Sequence, residues 1–277
     1  MANEFAKYIK SISIENLWNK LTVKWDLHRD VNILSGINGV GKTTILNRIV
    51  SFLEQHEGDV SSTIGPVEGV SVTFDQPEAK FIAYNVIRSY DRPLMLKEVA
   101  LKVDKDILSE LDWQLYLLQK KYLDYQVNVA NRMIDCLGSD DPDIRAQAAF
   151  LATNKRRFQD IVDELFSYTG KYIDRKRNDI AFRKDDILLL PYQLSSGEKQ
   201  MLLILLTTLV QDQQHYVMFM DEPEASLHIE WQQKLIAIIR EINPNVQLIL
   251  TTHSPAVIME GWIDNVTEVS DISCLKQ

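Results

Sequence analysis

The chain has 277 residues, 45% of them hydrophobic and 25% charged, with a formal net charge of −9 and a pI near 5.1. That profile predicts a soluble globular protein with a sizeable core, and its acidic balance argues against uniform coating of nucleic acid or of an anionic membrane. Cys136 and Cys274 lie far apart without CxxC spacing, so neither a disulfide framework nor a zinc site is indicated; a cytoplasmic location is expected, with no signal peptide or membrane span.

In chain order, Leu21, Val23, Trp25 and Leu27 alternate with Thr22, Lys24 and Asp26, the period-two pattern of a half-buried strand. Val31 to Leu34 forms a second short strand that runs into "GINGVGKTT", Gly36 to Thr44. After Lys42, the residues Ile45, Leu46, Ile49, Val50 and Leu53 recur at helical spacing, giving strand, loop and helix in the order a phosphate site requires. Gly36, Gly41, Lys42 and Thr43 complete the phosphate-loop pattern. Glycines let successive N–H groups turn inward, Lys42 bridges the β- and γ-phosphates, and the Thr43 hydroxyl is a ligand for Mg²⁺. Val70 to Phe74 and Phe81 to Ile87 read as further strands.

The middle of the chain changes character. Leu108, Leu111, Leu115, Leu118, Tyr122, Tyr125 and Val129 follow a three-four spacing that continues through Arg132 to Cys136, a heptad seam of about four repeats. After "GSDDPD" a second series follows: Ile144, Ala148, Leu151, Lys155, Phe158, Val162 and Leu165. Two seamed helices around a Gly/Pro turn make an antiparallel hairpin. As a projecting arm it would reach roughly 40 Å; as a compact lobe it would fold onto the core, and the pattern fits both.

Further on, "LSSGEKQ" (Leu194 to Gln200) opens the apolar run "MLLILLTTLV", which reads as a buried helix. "HYVMFMDEP" and "VQLILTTHSP" are apolar runs that end in polar residues, as buried parallel strands do where their C-terminal ends carry chemistry. Asp221 is placed to hold Mg²⁺ and Glu222 to polarise an attacking water. His253, at the end of the next strand, is placed to contact the γ-phosphate.

The order phosphate loop, LSSGE loop, DE strand, "EASLH" and "TTHSP" resembles the ATP-binding-cassette ATPases, in particular the branch of RecF, SMC/Rad50 and OLD proteins. The resemblance covers about residues 10 to 90 and 185 to 270. It implies an α/β fold: an ABC-ATPase P-loop NTPase core, with a mostly parallel sheet flanked by helices, an antiparallel β-subdomain and an inserted antiparallel helical hairpin. The expected division is 1–100 for the N-terminal half of the core, 101–170 for the hairpin and 171–277 for the C-terminal half.

By the same resemblance, ATP is bound by Gly36, Asn38, Gly39, Val40, Gly41, Lys42, Thr43 and Thr44, with Ser196, Gly197 and Glu198 of the signature loop. Ser196 and Gly197 would act in trans, on the nucleotide of a second copy in an ATP-sandwich homodimer. Lys42, Glu222 and His253 are the expected catalytic residues. Thr43, Asp221 and Gln76 are the expected Mg²⁺ set, Gln76 standing against the alternative of a solvent-facing loop glutamine. Glu198, where transporter ATPases usually carry glutamine, and the 154 residues that separate Lys42 from Ser196 favour the RecF/OLD side. No Cys-x-x-Cys marks a zinc hook, Ile229 departs from the proline many OLD relatives have after "SLH", and the 24 residues after His253 leave no room for the nuclease domain that OLD proteins carry.

The function so implied is an ATP-operated clamp serving a separate effector such as a nuclease or toxin, in DNA repair or anti-phage defence. A transporter motor and an ATP-binding scaffold with negligible turnover are the alternatives. Residues 155–184 carry nine basic and five acidic side chains, a net +4 that either tracks a nucleic-acid backbone or forms a solvated face.

Overall fold

The computed structural model describes residues 4–56, 69–88, 103 and 105–275. Its centre is a five-stranded parallel sheet of β3 (Val31–Ser35), β5 (Tyr84–Arg88), β9 (Tyr216–Asp221), β10 (Val246–Thr251) and β11 (Val266–Glu268), in the order β11-β3-β10-β9-β5. Every residue of β9 and of β10 is buried. Such strands are covered on both faces, which is why their sequences run apolar without alternation. The alternation reappears in what each face meets. Val31, Ile33, Met218, Met220, Leu248 and Leu250 point into a core built with helices, while Leu34, Val217, Phe219 and Ile249 point into a second core.

The second core lies under an antiparallel sheet of order β12-β2-β1-β4, where β1 is Ile9–Leu17, β2 Leu21–Asp26, β4 Val70–Phe74 and β12 Ser273–Leu275. Between the sheets runs α1 (Lys42–His56), whose Ile45, Leu46, Ile49, Val50 and Leu53 are all buried, as their spacing predicted. Parallel core and antiparallel subdomain are thus the α/β arrangement expected.

On the other face lie α2 (Glu110–Leu137), α3 (Pro142–Leu151), α4 (Thr153–Phe166), α5 (Ser196–Val210) and α6 (Ile229–Ile242). The α2 seam, Leu111, Leu115, Leu118, Tyr122, Tyr125 and Val129, packs into the same core as the sheet. The lobe therefore lies against the core along this length, and beyond it Ile134 and Leu137 are exposed. The second arm divides at Ala152, whose backbone stays right-handed helical (φ −77°, ψ −12°), so the three-four series of Phe158, Val162 and Leu165 continues unbroken in α4. Helix α5 is buried around nearly its whole circumference, matching its apolar run. A small sheet of β6 (Tyr172–Ile173), β7 (Phe182–Lys184) and β8 (Ile187–Leu189) follows α4, and two short helices, α7 (Pro255–Met259) and α8 (Val269–Ile272), complete the C-terminal part. Among the described residues no helix is long and apolar enough to cross a membrane.

Candidate functional site

Three strand ends meet at one edge of the parallel sheet. β10 lies between β3 and β9, with Thr251 beside Leu34 on one side and Asp221 on the other. The residues that follow these strands are therefore forced together, at the edge where open α/β sheets place their chemistry.

Thr43 Oγ1 donates to Asp221 Oδ1 at 2.9 Å, and Thr251 Oγ1 donates to the same oxygen at 2.7 Å. Lys42 is buried and reaches back over the loop, donating to the carbonyls of Gly36 at 2.9 Å and Ile37 at 3.3 Å. Its Nζ stands 2.7 Å from His253 Nε2, which is also 2.8 Å from Glu222 Oε1. A ring nitrogen accepts from Lys42 when unprotonated or donates to Glu222 when protonated, and it cannot do both. The three groups thus crowd one point without a mutually satisfied pattern, an arrangement suited to an anion entering between them. Burial pushes the Lys42 ammonium below its ordinary pKa, opposed by the Glu222, Asp221 and Glu224 carboxylates.

Glu222 has a left-handed φ of 48°, and its N–H faces the Thr251 carbonyl and hydroxyl, both at 3.1 Å. A non-glycine residue in this region costs of order 1–3 kcal/mol and persists only where its surroundings impose it. The turn is what lets adjacent Asp221 and Glu222 serve one site.

Sequence reasoning missed the residues that hold this geometry. Buried Glu224 accepts through Oε1 from the Thr252 hydroxyl and from the N–H groups of His253 at 3.0 Å and Ser254 at 3.3 Å, fixing the loop that carries His253. Ser254 Oγ in turn donates to Gln232 Oε1 at 2.6 Å. The available signal was polar residues closing an apolar strand, with a third carboxylate in "DEPEASLH". Trp18, in the β1–β2 turn, was missed too. A Cβ placed on Gly41 would lie 2.1 Å from its ring, and Gly41 has φ +106°, so only glycine fits there on both counts. A lone aromatic in a turn leaves no pattern to read.

Asn38 and Gly39 sit on the exposed crest of the phosphate loop, with Gly36, Val40 and Thr44 half-buried around it. Thr43 and Asp221 are hard oxygen donors in contact, a set that suits Mg²⁺, which keeps several waters and shares its remaining positions with phosphate oxygens. Gln76, expected as the third member of the Mg²⁺ set, is in a different setting among the described residues. It lines a cavity of about 760 Å³ with Lys10, Phe52, Phe74 and Phe81, and makes no hydrogen bond to Asp221 or Thr43 among the described residues.

Ser195 caps α5, with its side chain and Glu198 forming a capping box. Ser196 is exposed at the helix N-terminus and Gly197 half-buried beside it. Gly197 lies so close to the "EASLH" loop that a Cβ there would approach the Ser226 carbonyl oxygen to 2.4 Å. Among the described residues no hydrogen bond or ion pair joins Ser196 or Gly197 to the Lys42 cluster. Glu198, expected on the nucleotide, is instead turned inward with 2% exposure. It accepts from the Ser195 N–H and hydroxyl at 2.9 Å, from Thr169 Oγ1 at 2.8 Å and from Lys171 Nζ at 2.8 Å. It therefore ties the signature loop to the segment after α4. Burial raises its pKa, but the bonds from Lys171, Ser195 and Thr169 outweigh this and hold it below the usual carboxylate range.

Most of the basic side chains of 155–184 have partners within the chain, largely at its surface. Arg175 pairs with Asp160 and Asp163, Arg177 with Asp179, Arg183 with Asp174, Arg157 with Glu241 and Lys171 with Glu198, while Lys155 donates to Gln126. Arg156, Lys176 and Lys184 make no side-chain hydrogen bond or ion pair among the described residues.

With this geometry in place, known proteins can be set beside the chain. Residues 136–260 match the family model described as "AAA domain, putative AbiEii toxin, Type IV TA system". The Septu protein PtuA of Bacillus thuringiensis is 25% identical over 318 aligned positions, covering 93% of this chain and 74% of that protein. The Retron Ec83 probable ATPase of Escherichia coli is 27% identical over 124 residues, 39% of this chain and only 23% of the retron protein's length. Among solved structures, an SMC head bound to the C-winged helix domain of ScpA superposes with a TM-score of 0.50 at 14% identity, covering 97% of each chain. That likeness concerns the fold, and it agrees with the parallel sheet, antiparallel subdomain and helical lobe described above. Family match, relatives and fold together support an ATPase of the ABC/SMC-like kind, in agreement with the motif order.

Proposed function

We propose that the chain hydrolyses ATP at the Lys42–His253–Glu222 cluster, closing as a homodimer around two ATP molecules and reopening after hydrolysis to switch a partner effector. The observation that carries this reading is the convergence of Lys42 Nζ, His253 Nε2 and Glu222 Oε1, linked by contacts of 2.7 and 2.8 Å. An ammonium, an imidazole and a carboxylate at one point supply phosphate charge compensation, a γ-phosphate contact and a group to orient water. Thr43 and Asp221 would hold Mg²⁺, which when bound neutralises charge on the β- and γ-phosphates. Trp18 offers a ring over the phosphate loop on which a nucleobase stacks.

Exposed Ser196 and half-buried Gly197, at a helix N-terminus and unattached among the described residues to their own chain's Lys42 cluster, support a signature loop that serves the other copy's nucleotide. The similarity to a Septu protein and to a retron ATPase supports a role in anti-phage defence, with an effector on a separate chain. Glu222→Gln protein with ATP and Mg²⁺ is expected to accumulate as a stable dimer with phosphate release reduced by about 10² or more. A Glu222→Gln protein that stays monomeric, or that turns over ATP at the parent rate, would defeat the proposal.

A further inference from the structure

At the opposite end of the parallel sheet, where its strands begin, lies a cavity of about 350 Å³ lined by Lys7, His28, Arg29, Asp30, His215 and Arg240, with Tyr8 on its wall. Three cationic side chains, Lys7, Arg29 and Arg240, line it with one carboxylate, Asp30, in a chain whose overall charge is −9. Asp30 is already engaged, its Oδ1 accepting from the Val31 N–H at 2.8 Å. The side chains of Lys7 and Arg29 make no hydrogen bond or ion pair among the described residues, and of the Arg240 donors one reaches the Val246 carbonyl at 3.3 Å. Elsewhere in the chain four of the five arginines of the 155–184 run find carboxylates. Here three cations are gathered around a single carboxylate, and none of them pairs with it among the described residues.

The walls are also held rigidly. Buried Asn32 accepts from the His28 N–H at 2.7 Å and donates to the His28 carbonyl at 2.9 Å. Buried Gln247 donates to the His28 carbonyl and the Ile9 carbonyl, both at 2.8 Å, and accepts from the Ile9 N–H. On the far wall, buried Asn243 donates to the Gln214 carbonyl at 3.1 Å and Asn245 to the Gln213 carbonyl at 2.8 Å, fixing the turn that carries His215. Amides inside an apolar sheet are costly unless fully paired, and paired they pin the loops that they touch. Cationic side chains on loops pinned in this way form a preorganised anion site.

We infer that this cavity is a second ligand site, taking a small phosphomonoester of up to mononucleotide size. The charge selects phosphate, the arginine forks suit its geometry, the volume lies at the lower end for small-molecule sites, and Tyr8 supplies a face for an attached ring. The site is remote from the Lys42 cluster and does not depend on its function.

The test is calorimetric titration of the full chain with inorganic phosphate and with AMP, in saturating Mg²⁺ and a non-hydrolysable ATP analogue to fill the phosphate loop. One further equivalent is expected to bind, weakened about tenfold or more by Lys7→Glu with Arg29→Glu. Both exchanged positions are exposed, so the unfolding midpoint should hold; Arg240→Lys, which keeps charge and loses the fork, gives a second reading. Tighter binding of AMP would assign the site to nucleotides, and equal binding to phosphate itself. No additional equivalent, or one insensitive to all three substitutions, overturns the inference. Binding of a single-stranded oligonucleotide alone, with neither small probe, overturns it in favour of a nucleic-acid surface.

Discussion

Replacing Lys171 with methionine removes one half of a buried ion pair while keeping the length of the side chain. Lys171 Nζ lies 2.8 Å from both Glu198 oxygens, and the two side chains are 14% and 2% exposed. Removing one partner of such a pair costs about 3–5 kcal/mol, because a carboxylate is left buried without its counter-charge. The Ser195 N–H and hydroxyl and the Thr169 hydroxyl still donate to Glu198, which places the loss at the lower end, about 3 kcal/mol. For a protein of this size that corresponds to a fall of about 6–12 °C in Tm, measured by thermal unfolding at pH 7. The pH dependence gives an independent reading. Glu198 has a folded pKa below its ordinary 4.5, so its contribution to stability is complete above about 4.5 and is lost as pH falls through the folded value. The deficit of Lys171→Met should therefore shrink at the acid end, and Lys171→Met with Glu198→Gln should recover most of it at pH 7. A loss below about 1 kcal/mol at pH 7, the level of an exposed pair, would refute the reasoning.

Mixing Lys42→Ala protein with Ser196→Arg protein should restore about a quarter or more of the phosphate release that each lacks alone, if the two loops meet across a dimer; no recovery would show that each acts within its own chain. Gly41→Ala must place a Cβ 2.1 Å from the Trp18 ring at φ +106°, and should weaken nucleotide binding at least tenfold by fluorescence titration. Gly41→Ala with Trp18→Ala should relieve the collision but not the backbone conformation, so binding recovers in part only. Glu224→Ala leaves the Thr252 hydroxyl and the His253 N–H without their acceptor, at about 1–3 kcal/mol each if water does not replace it, while the Ser254 N–H keeps Thr252 Oγ1 at 3.0 Å. Phosphate release should fall about tenfold or more through displacement of His253, with Glu224→Gln, which keeps an acceptor oxygen, retaining more activity.

The elements that the sequence made legible are those whose period survives in the fold. Helix α1, the α2 seam and the all-buried β9 and β10 each repeat one environment over five or more residues. β1 does not. Its burial order reads buried, exposed, intermediate, buried, intermediate, buried, and its pairing with β4 shifts register between Ile9 and Ser11, which breaks the alternation that would have announced it. The β6–β8 sheet has strands of two or three residues, too short for any period, and its first two strands sit within a segment whose basic count drew attention to charge. That count, nine basic against five acidic side chains, includes the aspartates but not their placement, and only the fold shows Arg175, Arg177 and Arg183 each set against one. At the site, the phosphate loop, Asp221, Glu222 and His253 were legible because strand ends bring them together. Glu198 was not, since a capping box and a nucleotide contact both ask for a polar residue in the first turn of a helix, and only the position of Lys171 distinguishes them.

The residues that decide the geometry are the polar ones inside apolar runs. β10 reads VQLILT, and hydropathy treats Gln247 and Thr251 as interruptions, yet both are fully buried and both are bonded. Thr251 holds Asp221 and the Glu222 turn at one end of the strand, while Gln247 holds Ile9 and His28 at the other. The same division recurs in β3, where Asn32 pins the His28 loop and the strand's far end delivers Gly36. Valine at position 251 is nearly isosteric with threonine, so packing would survive Thr251→Val. Its cost falls instead on Asp221 Oδ1, which loses a 2.7 Å donor, and on the Glu222 N–H, which keeps the Thr251 carbonyl but loses the hydroxyl. A strand held only by its apolar contacts would tolerate that exchange without consequence; one that also aims a carboxylate and a left-handed turn at a nucleotide would not.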